Sequence, residues 1–157
     1  MTTPENTSAA TARPEDLITW HVLLQVSTRV IRELERRLDD EHRTSAREFD
    51  VLINLANAPE GGLRMTDLAN ATMLSSGGLT RLVGRLGDRG LVRREQDSAD
   101  ARAFFARLTP AGRERLAVMR VTHDAIVHEL FAAHLEPADR EMLRGTLARV
   151  LGSDLCA

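Results

Sequence analysis

From Ser75 to Arg102 the chain spaces hydroxyls, glycines and arginines in a way that suits a nucleic-acid duplex. Ser75, Ser76 and Gly77 open a helical pattern, and Thr80, Arg81, Gly84, Arg85 and Asp88 continue along one side of it. Guanidinium groups pair with guanine edges or with phosphate, and bare glycine backbone lets N–H groups approach an anion closely. The opposite side carries Leu79, Leu82, Val83 and Leu86 at i, i+3, i+4 and i+7, a continuous apolar stripe. A helix with an apolar back and a Thr/Arg/Gly front fits the DNA major groove. Arg85 either reads a base or binds phosphate, and both readings stand at this point. So do both readings of Gly77 and Gly78: close approach to DNA, or plain tolerance of glycine near an N-cap. Further on, Asp100 and Arg102 lie in a charged loop, and an arginine on a short loop suits a narrow, negative minor groove.

Those residues need a frame. The helix is expected from Ser76 to about Arg89, with Ser75 or Ser76 as N-cap and Gly90 as its stop. Strands are expected over 91–95 and 104–108, joined by the loop 96–103. Arg93 and Arg94 alternate on the first strand, so at most one faces DNA. Upstream, Thr66 is expected to cap a short helix ending near Ala71, followed by the turn Thr72-Met73-Leu74. Leu63-Arg64-Met65 reads as a short strand that pairs with the wing. Ser45-Ala46-Arg47-Glu48 is a capping box, opening a helix to about Ala56 that buries Phe49, Leu52, Ile53 and either Leu55 or Ala56.

The flanks carry more apolar surface than this core can cover. Residues 1–13 read as a disordered tail. Pro14-Glu15-Asp16 starts a long helix in which Leu17, Leu24, Ile31 and Leu38 recur every seven residues, ending at Asp39-Asp40-Glu41. Thr109 and Pro110 start another helix, where Leu116, Met119, His123, Ile126, Leu130 and Ala133 form a coiled-coil-like seam. Pro137 begins a last helix bearing Met142, Leu143, Leu147, Val150 and Leu151. Pairing of these terminal helices with their copies in a second subunit gives a C2 dimer holding two recognition helices.

The central stretch resembles the winged helix-turn-helix core of the MarR family of transcriptional regulators. The matching residues are Leu68-Ala69, Leu74-Ser75-Ser76-Gly77, Leu79-Thr80-Arg81-Leu82-Val83, Arg85-Leu86 and Arg89-Gly90-Leu91-Val92-Arg93-Arg94. Asp100-Ala101-Arg102 and Leu108-Thr109-Pro110-Ala111-Gly112 complete the match, and Arg47-Glu48-Phe49-Asp50-Val51-Leu52 resembles the family's preceding helix. Gly84 departs from the pattern, where the family often carries an acid. The resemblance implies a mainly α fold with a small β wing (α+β). It implies a DNA-binding core at 45–109 and dimerisation helices at 14–41 and 110–157, within one domain at 14–157. It places Arg102 in the minor groove with Asp100 bracing the loop, and assigns Ser75, Ser76, Gly77, Thr80, Arg81 and Arg85 to the major groove.

Charge distribution agrees with this. The net charge is −2, yet residues 64–115 hold ten arginines against six acids, a local +4. The field sits on the motif, where backbone contact needs it. Every basic residue apart from histidine is Arg, and aromatics are 3% against 43% hydrophobic residues, which favours a helical aliphatic core. The lone Cys156 excludes a disulfide framework. No signal core or membrane-length apolar run occurs, so a cytoplasmic location is expected.

No nucleophile–base pair, phosphate loop or carboxylate cluster points to an enzyme, and no cofactor is expected. His123 and His128 are five apart, on different helix faces, unlike the i, i+4 pair of a zinc helix. No metal site is therefore assigned, and a zinc-responsive regulator is kept as an alternative. Trp20 and His21 on the first helix either line a small-molecule effector cleft, between dimer helices and winged core, or pack the dimer. The expected function is a homodimeric, sequence-specific DNA-binding regulator: a repressor on a palindromic operator, released by a small-molecule effector. A winged-helix protein-interaction module without DNA binding is the rival of another class.

Overall fold

Local capping chemistry sets most element boundaries. The structure, a computed structural model, describes residues 11–59, 62–97, 100 and 103–152. The order is α1 (Pro14–His42), α2 (Ala46–Asn57), β1 (Gly62–Arg64), α3 (Met65–Ala71), α4 (Ser76–Asp88), β2 (Val92–Gln96), β3 (Phe104–Leu108), α5 (Pro110–Leu130), a 3-10 turn (Ala132–His134) and α6 (Pro137–Leu151). The fold is mainly helical with one three-stranded antiparallel sheet, ordered β1-β3-β2.

Ser45 closes the expected box: its hydroxyl accepts from Glu48 N at 3.2 Å, and Glu48 Oε2 accepts from Ser45 N at 3.1 Å. Phe49, Leu52 and Leu55 are buried, as is Val51 on the same helix. Ser75 alone caps α4, accepting from Gly78 N at 3.2 Å. Gly90, at φ +70°, reverses the chain after α4, and Leu91 N returns to Leu86 O at 2.9 Å. That left-handed conformation is one a side chain resists and glycine accepts.

The stripe on α4 is buried as its spacing required: Leu79, Leu82, Val83 and Leu86 are each at most 4% exposed. They share a core with Leu52 and Leu55 of α2, Leu68 of α3 and Leu91–Val92 entering β2. Each such side chain contributes about 1.5–3 kcal/mol by leaving water. A glycine inside a helix costs about 1 kcal/mol against alanine. Burial therefore outweighs the glycines of this segment.

Three expectations need correction. Thr66 does not cap α3. The cap position is Arg64, without a side-chain bond, and Thr66 is already helical. The hydrogen-bonded return of β1 onto β3 reaches Arg64, which leaves α3 to begin directly after it. The seam on α5 is spent inside the chain: Leu116, Met119 and Ile126 are buried where α5 packs on α1 and α2. Ala133 is not in that helix, since α5 ends at Leu130 and Ala133 belongs to the following 3-10 turn. Of the expected tail, residues 1–10 lie outside the described residues, as does Cys156, while Arg13 is the α1 N-cap, bonded to Asp16.

The Leu-Thr-x-x-Gly motif has a mechanical reason. Thr109 Oγ1 accepts from Gly112 N at 3.0 Å and reaches Gly90 O at 2.7 Å, while Thr109 N donates to Leu91 O at 3.1 Å. One residue thus starts α5 and fastens it to the chain leaving α4. Gly112 packs so close that an added Cβ would overlap the Leu91 carbonyl oxygen. Gly112→Ala is expected to destabilise the fold by about 1–3 kcal/mol through overpacking. Gly84→Ala, with nothing within 4 Å of its Cβ, is expected to stabilise it by about 0.5–1 kcal/mol. Urea denaturation of both variants checks this; a neutral Gly112→Ala would contradict the close-packed junction.

Candidate nucleic-acid interface

With the apolar stripe of α4 inward, its other face is fixed outward. Ser76, Gly77, Thr80, Arg81, Gly84, Arg85 and Asp88 are all exposed on that helix. The hydroxyls there are partly committed. Ser75 is the N-cap, and Thr80 Oγ1 donates to Ser76 O at 2.8 Å, keeping its lone pairs for a further donor. The preceding turn is tight: Met73 sits at φ 51° with 92% exposure, two residues before the cap.

The two arginines of this face differ in their surroundings. Arg81, in the N-terminal half of α4, makes no side-chain ion pair or hydrogen bond among the described residues. Arg85, one turn later, lies with Nε 3.9 Å from Glu48 Oε1. Glu48 also takes Arg89 Nη1 at 3.2 Å, and Arg89 reaches Thr44 Oγ1 at 3.4 Å. The Glu48 side chain is 10% exposed, so a low-polarity setting strengthens these links. The carboxylate that closes the α2 capping box thereby also holds the end of α4. The resemblance of Glu48 to a family position signalled its place in the sequence, but nothing local signalled partners 37 and 41 residues away.

The wing strands sort the paired arginines. Val92, Arg94 and Gln96 face with Leu108, Ala106 and Phe104, while Arg93 and Glu95 face with Arg107 and Phe105. On the second face, Glu95 binds Arg93 and Arg107, each at 2.7 Å. On the first face, Arg94 lies over the Phe104 ring with Cζ 4.6 Å from its centroid. Arg64 pairs with Asp97 at 2.5 Å, tying β1 to the end of β2. Asp100 is exposed at the wing, and its carbonyl accepts from Ala103 N at 2.9 Å. Arg102 lies outside the described residues.

Of the effector candidates, His21 lines an open cleft of about 780 Å³ together with Leu24, Gln25, Thr28, Arg32 and Glu129. Trp20 does not line it and is 57% exposed. The cleft lies between α1 and the end of α5 rather than against the winged core. His123 is packed rather than converged with other ligands. Its ring stacks on Phe49 at 5.0 Å, and Nδ1 lies 2.8 Å from Asp124. Among the described residues no three His, Cys, Asp or Glu side chains converge as a metal would need. Near the core edge, His42 Nε2 is 2.8 Å from Thr122 Oγ1, and that hydroxyl donates to Glu41 Oε2 at 2.8 Å. The Thr122 bond, with Arg37 beside it, holds the Glu41 carboxyl below the usual carboxylate range. Burial pushes Asp50 upward instead.

A double-mutant cycle tests the clamp on α4. Glu48→Gln and Arg89→Gln should couple by about 0.5–3 kcal/mol in urea denaturation. Additive effects would mean that Glu48 serves only the capping box.

Comparison with known proteins bears on the same surface. A MarR family model matches residues 44–103, the span from the α2 cap to the wing. Transcriptional regulator HosA of Escherichia coli O157:H7 is 32% identical over 95 residues, covering 60% of this chain and 68% of HosA. The crystal structure of Sco3205, a MarR family transcriptional regulator from Streptomyces coelicolor in complex with DNA, superposes with TM-score 0.82. It has 28% identity and coverage of 96% of this chain and 98% of that one. Bordetella bronchiseptica BpsR, whose DNA binding is regulated by 6-hydroxynicotinic acid, matches with TM-score 0.72 and 25% identity, over 85% of this chain and 98% of BpsR.

Proposed function

This chain belongs to the MarR family of transcriptional regulators, and we propose that it is a homodimeric, sequence-specific repressor acting in the cytoplasm on a palindromic operator. The observation that carries the reading is the exposed face of α4. Arg81, Arg85 and Thr80 stand outward on a helix whose opposite side is locked in the core, beside a wing. In helix-turn-helix readers the N-terminal part of such a helix meets base edges. Arg81 is therefore the base-reading residue, supported by its lack of a carboxylate partner among the described residues. Arg85, drawn toward Glu48, serves the phosphate backbone. Ser75, Ser76, Gly77 and Thr80 bring the helix start against the duplex. Arg102, with Asp100, reaches the minor groove.

Dimerisation is supported by what the single chain leaves uncovered. Every residue from 11 to 29 is exposed, including Leu17 at 54%, Ile18 at 66% and Trp20 at 57%. On α6, Met142, Val150 and Leu151 are at least 63% exposed. Between them runs an apolar groove of about 590 Å³, lined among others by Val22, Val26, Phe131, Leu143 and Leu147. A contiguous apolar surface of this kind marks an interface. The exposed faces of α1 and α6, within residues 14–41 and 110–157, form the dimer, and 45–109 read DNA. A small-molecule effector, seated in the cleft beside His21, would release DNA by changing the separation of the two α4 helices, as regulation of BpsR by 6-hydroxynicotinic acid suggests by analogy.

Selection of bound duplexes from random DNA, followed by titration at several salt concentrations, tests this. The selected site should be an imperfect palindrome with half-site centres about 10 bp apart. Arg81→Ala should cost about 1–3 kcal/mol and relax discrimination at one position per half-site. Arg102→Ala should weaken all sites by a similar factor and lower the salt slope. No salt-sensitive binding to any duplex would overturn the reading in favour of a protein-interaction module.

A further inference from the structure

We propose that Arg94, laid over the Phe104 ring, is a preorganised clamp for the one DNA phosphodiester that passes between the wing and the recognition helix. The proposal rests on the DNA-reading role of α4 given above. It starts from the two faces of β2. Arg93 and Arg94 are adjacent, yet only Arg93 is neutralised, by Glu95 at 2.7 Å. Arg94 has no carboxylate partner among the described residues. Its guanidinium is instead held by the aromatic face of Phe104, with Cζ 4.6 Å from the ring centroid. Stacking restrains the plane of the group and leaves its edge N–H donors open. An arginine already restrained loses little freedom on meeting an anion.

The position of that guanidinium is the second observation. Arg94 and Phe104 line a notch of about 330 Å³, together with Thr66 at the start of α3, Thr80 on the outward face of α4, and Asp100 and Ala103 on the wing. With α4 in the major groove and the wing in the adjacent minor groove, one sugar–phosphate strand separates the two. It must cross the gap between those elements, and that gap is this notch. Arg94 is directed there because it shares the face of Val92 and Ala106, the side of the sheet turned toward the helices. Arg93, on the reverse face, is not. Thr80, whose hydroxyl already donates to Ser76 O, sits on the far wall, so a phosphate in the notch lies between the base-reading helix and the wing. Asp100 also lines the notch, from the wing side. The ligand is a backbone phosphodiester of double-stranded DNA, and the role is registration: it fixes how deep α4 and the wing enter their grooves together, without sequence preference of its own.

The experiment combines protein and DNA substitutions. Wild type, Arg94→Ala and Arg93→Ala are titrated against the duplex that the wild type selects from random sequence, at several salt concentrations. The same duplex is then made with a neutral methylphosphonate at one phosphate at a time. Thermal melting confirms that each variant is folded, and the methylphosphonate series on wild type needs no variant. Arg94→Ala should weaken binding on the order of tenfold per subunit and lower the salt slope by about one per subunit, equally on single-base variants of the site. Arg93→Ala should change either quantity far less. One methylphosphonate per half-site, at the boundary between the two grooves contacted, should weaken wild type and leave Arg94→Ala unaffected. If wild type binds DNA but Arg94→Ala binds equally well with an unchanged slope, or if no single phosphate is silent in Arg94→Ala alone, the clamp is wrong while the DNA-reading role stands. If Arg94→Ala instead alters preference at one base pair, the group reads a base and the proposal is overturned. If wild type binds no duplex at low salt, the DNA-reading role falls and the clamp with it.

Discussion

Burial of Leu79, Leu82, Val83 and Leu86 is the constraint from which the rest follows. A helix can bury only one stripe of this width, so committing these four side chains to the core fixes the rotation of α4 about its axis. Arg81, Arg85 and Thr80 are then outward whatever their own preferences. The same burial overrides the glycines that weaken the segment as an isolated helix. Recognition chemistry here is a by-product of core packing: change the stripe by one position and the arginines rotate away with it.

Two polar junctions turn that orientation into a fixed position. At one end of the motif, Glu48 holds Arg89 and approaches Arg85, so the C-terminal part of α4 is tied to the start of α2. At the other, Thr109 and Gly112 fasten α5 to the chain segment leaving α4, at contact distances that exclude a side chain. The α5 helix in turn packs along α1 through Leu116, Met119 and Ile126, with the His42–Thr122–Glu41 hydrogen bonds beside them. A shift of the terminal helices therefore reaches α4 through packed elements and hydrogen bonds rather than through a flexible linker. That is the physical basis for placing effector control in the cleft beside His21.

Local chemistry was legible and long-range pairing was not. Ser45 with Glu48, Thr109 with Pro110, and the Leu79–Leu86 stripe declare themselves within a few residues, and the structure places them as their spacing requires. Thr66 misleads for a local reason too: a good capping residue lies at the second position of a helix whose start is set by strand pairing. The α5 seam is apolar as its spacing requires, but α1 and α2 of the same chain cover it. Periodicity marks a buried face without saying whether a neighbour in the same chain or a second copy covers it. The Glu48 links span 37 and 41 residues and leave no periodic trace. Arg94 was within reach, because alternation puts it on the face of buried Val92, but only the sheet register shows that this face opens into the notch above α4.

The central claim is that two copies of α4 are held by the terminal helices at the repeat of a DNA duplex. Electron–electron dipolar spectroscopy measures this directly, with a spin label at the exposed end of α4 through Asp88→Cys in a Cys156→Ser background. The account predicts a single interspin distance consistent with recognition helices about 34 Å apart, narrowing on addition of the selected duplex and shifting when an effector releases it. Absence of dipolar modulation at micromolar protein, or a distance unchanged between free, DNA-bound and released states and far from one helical turn, would contradict it.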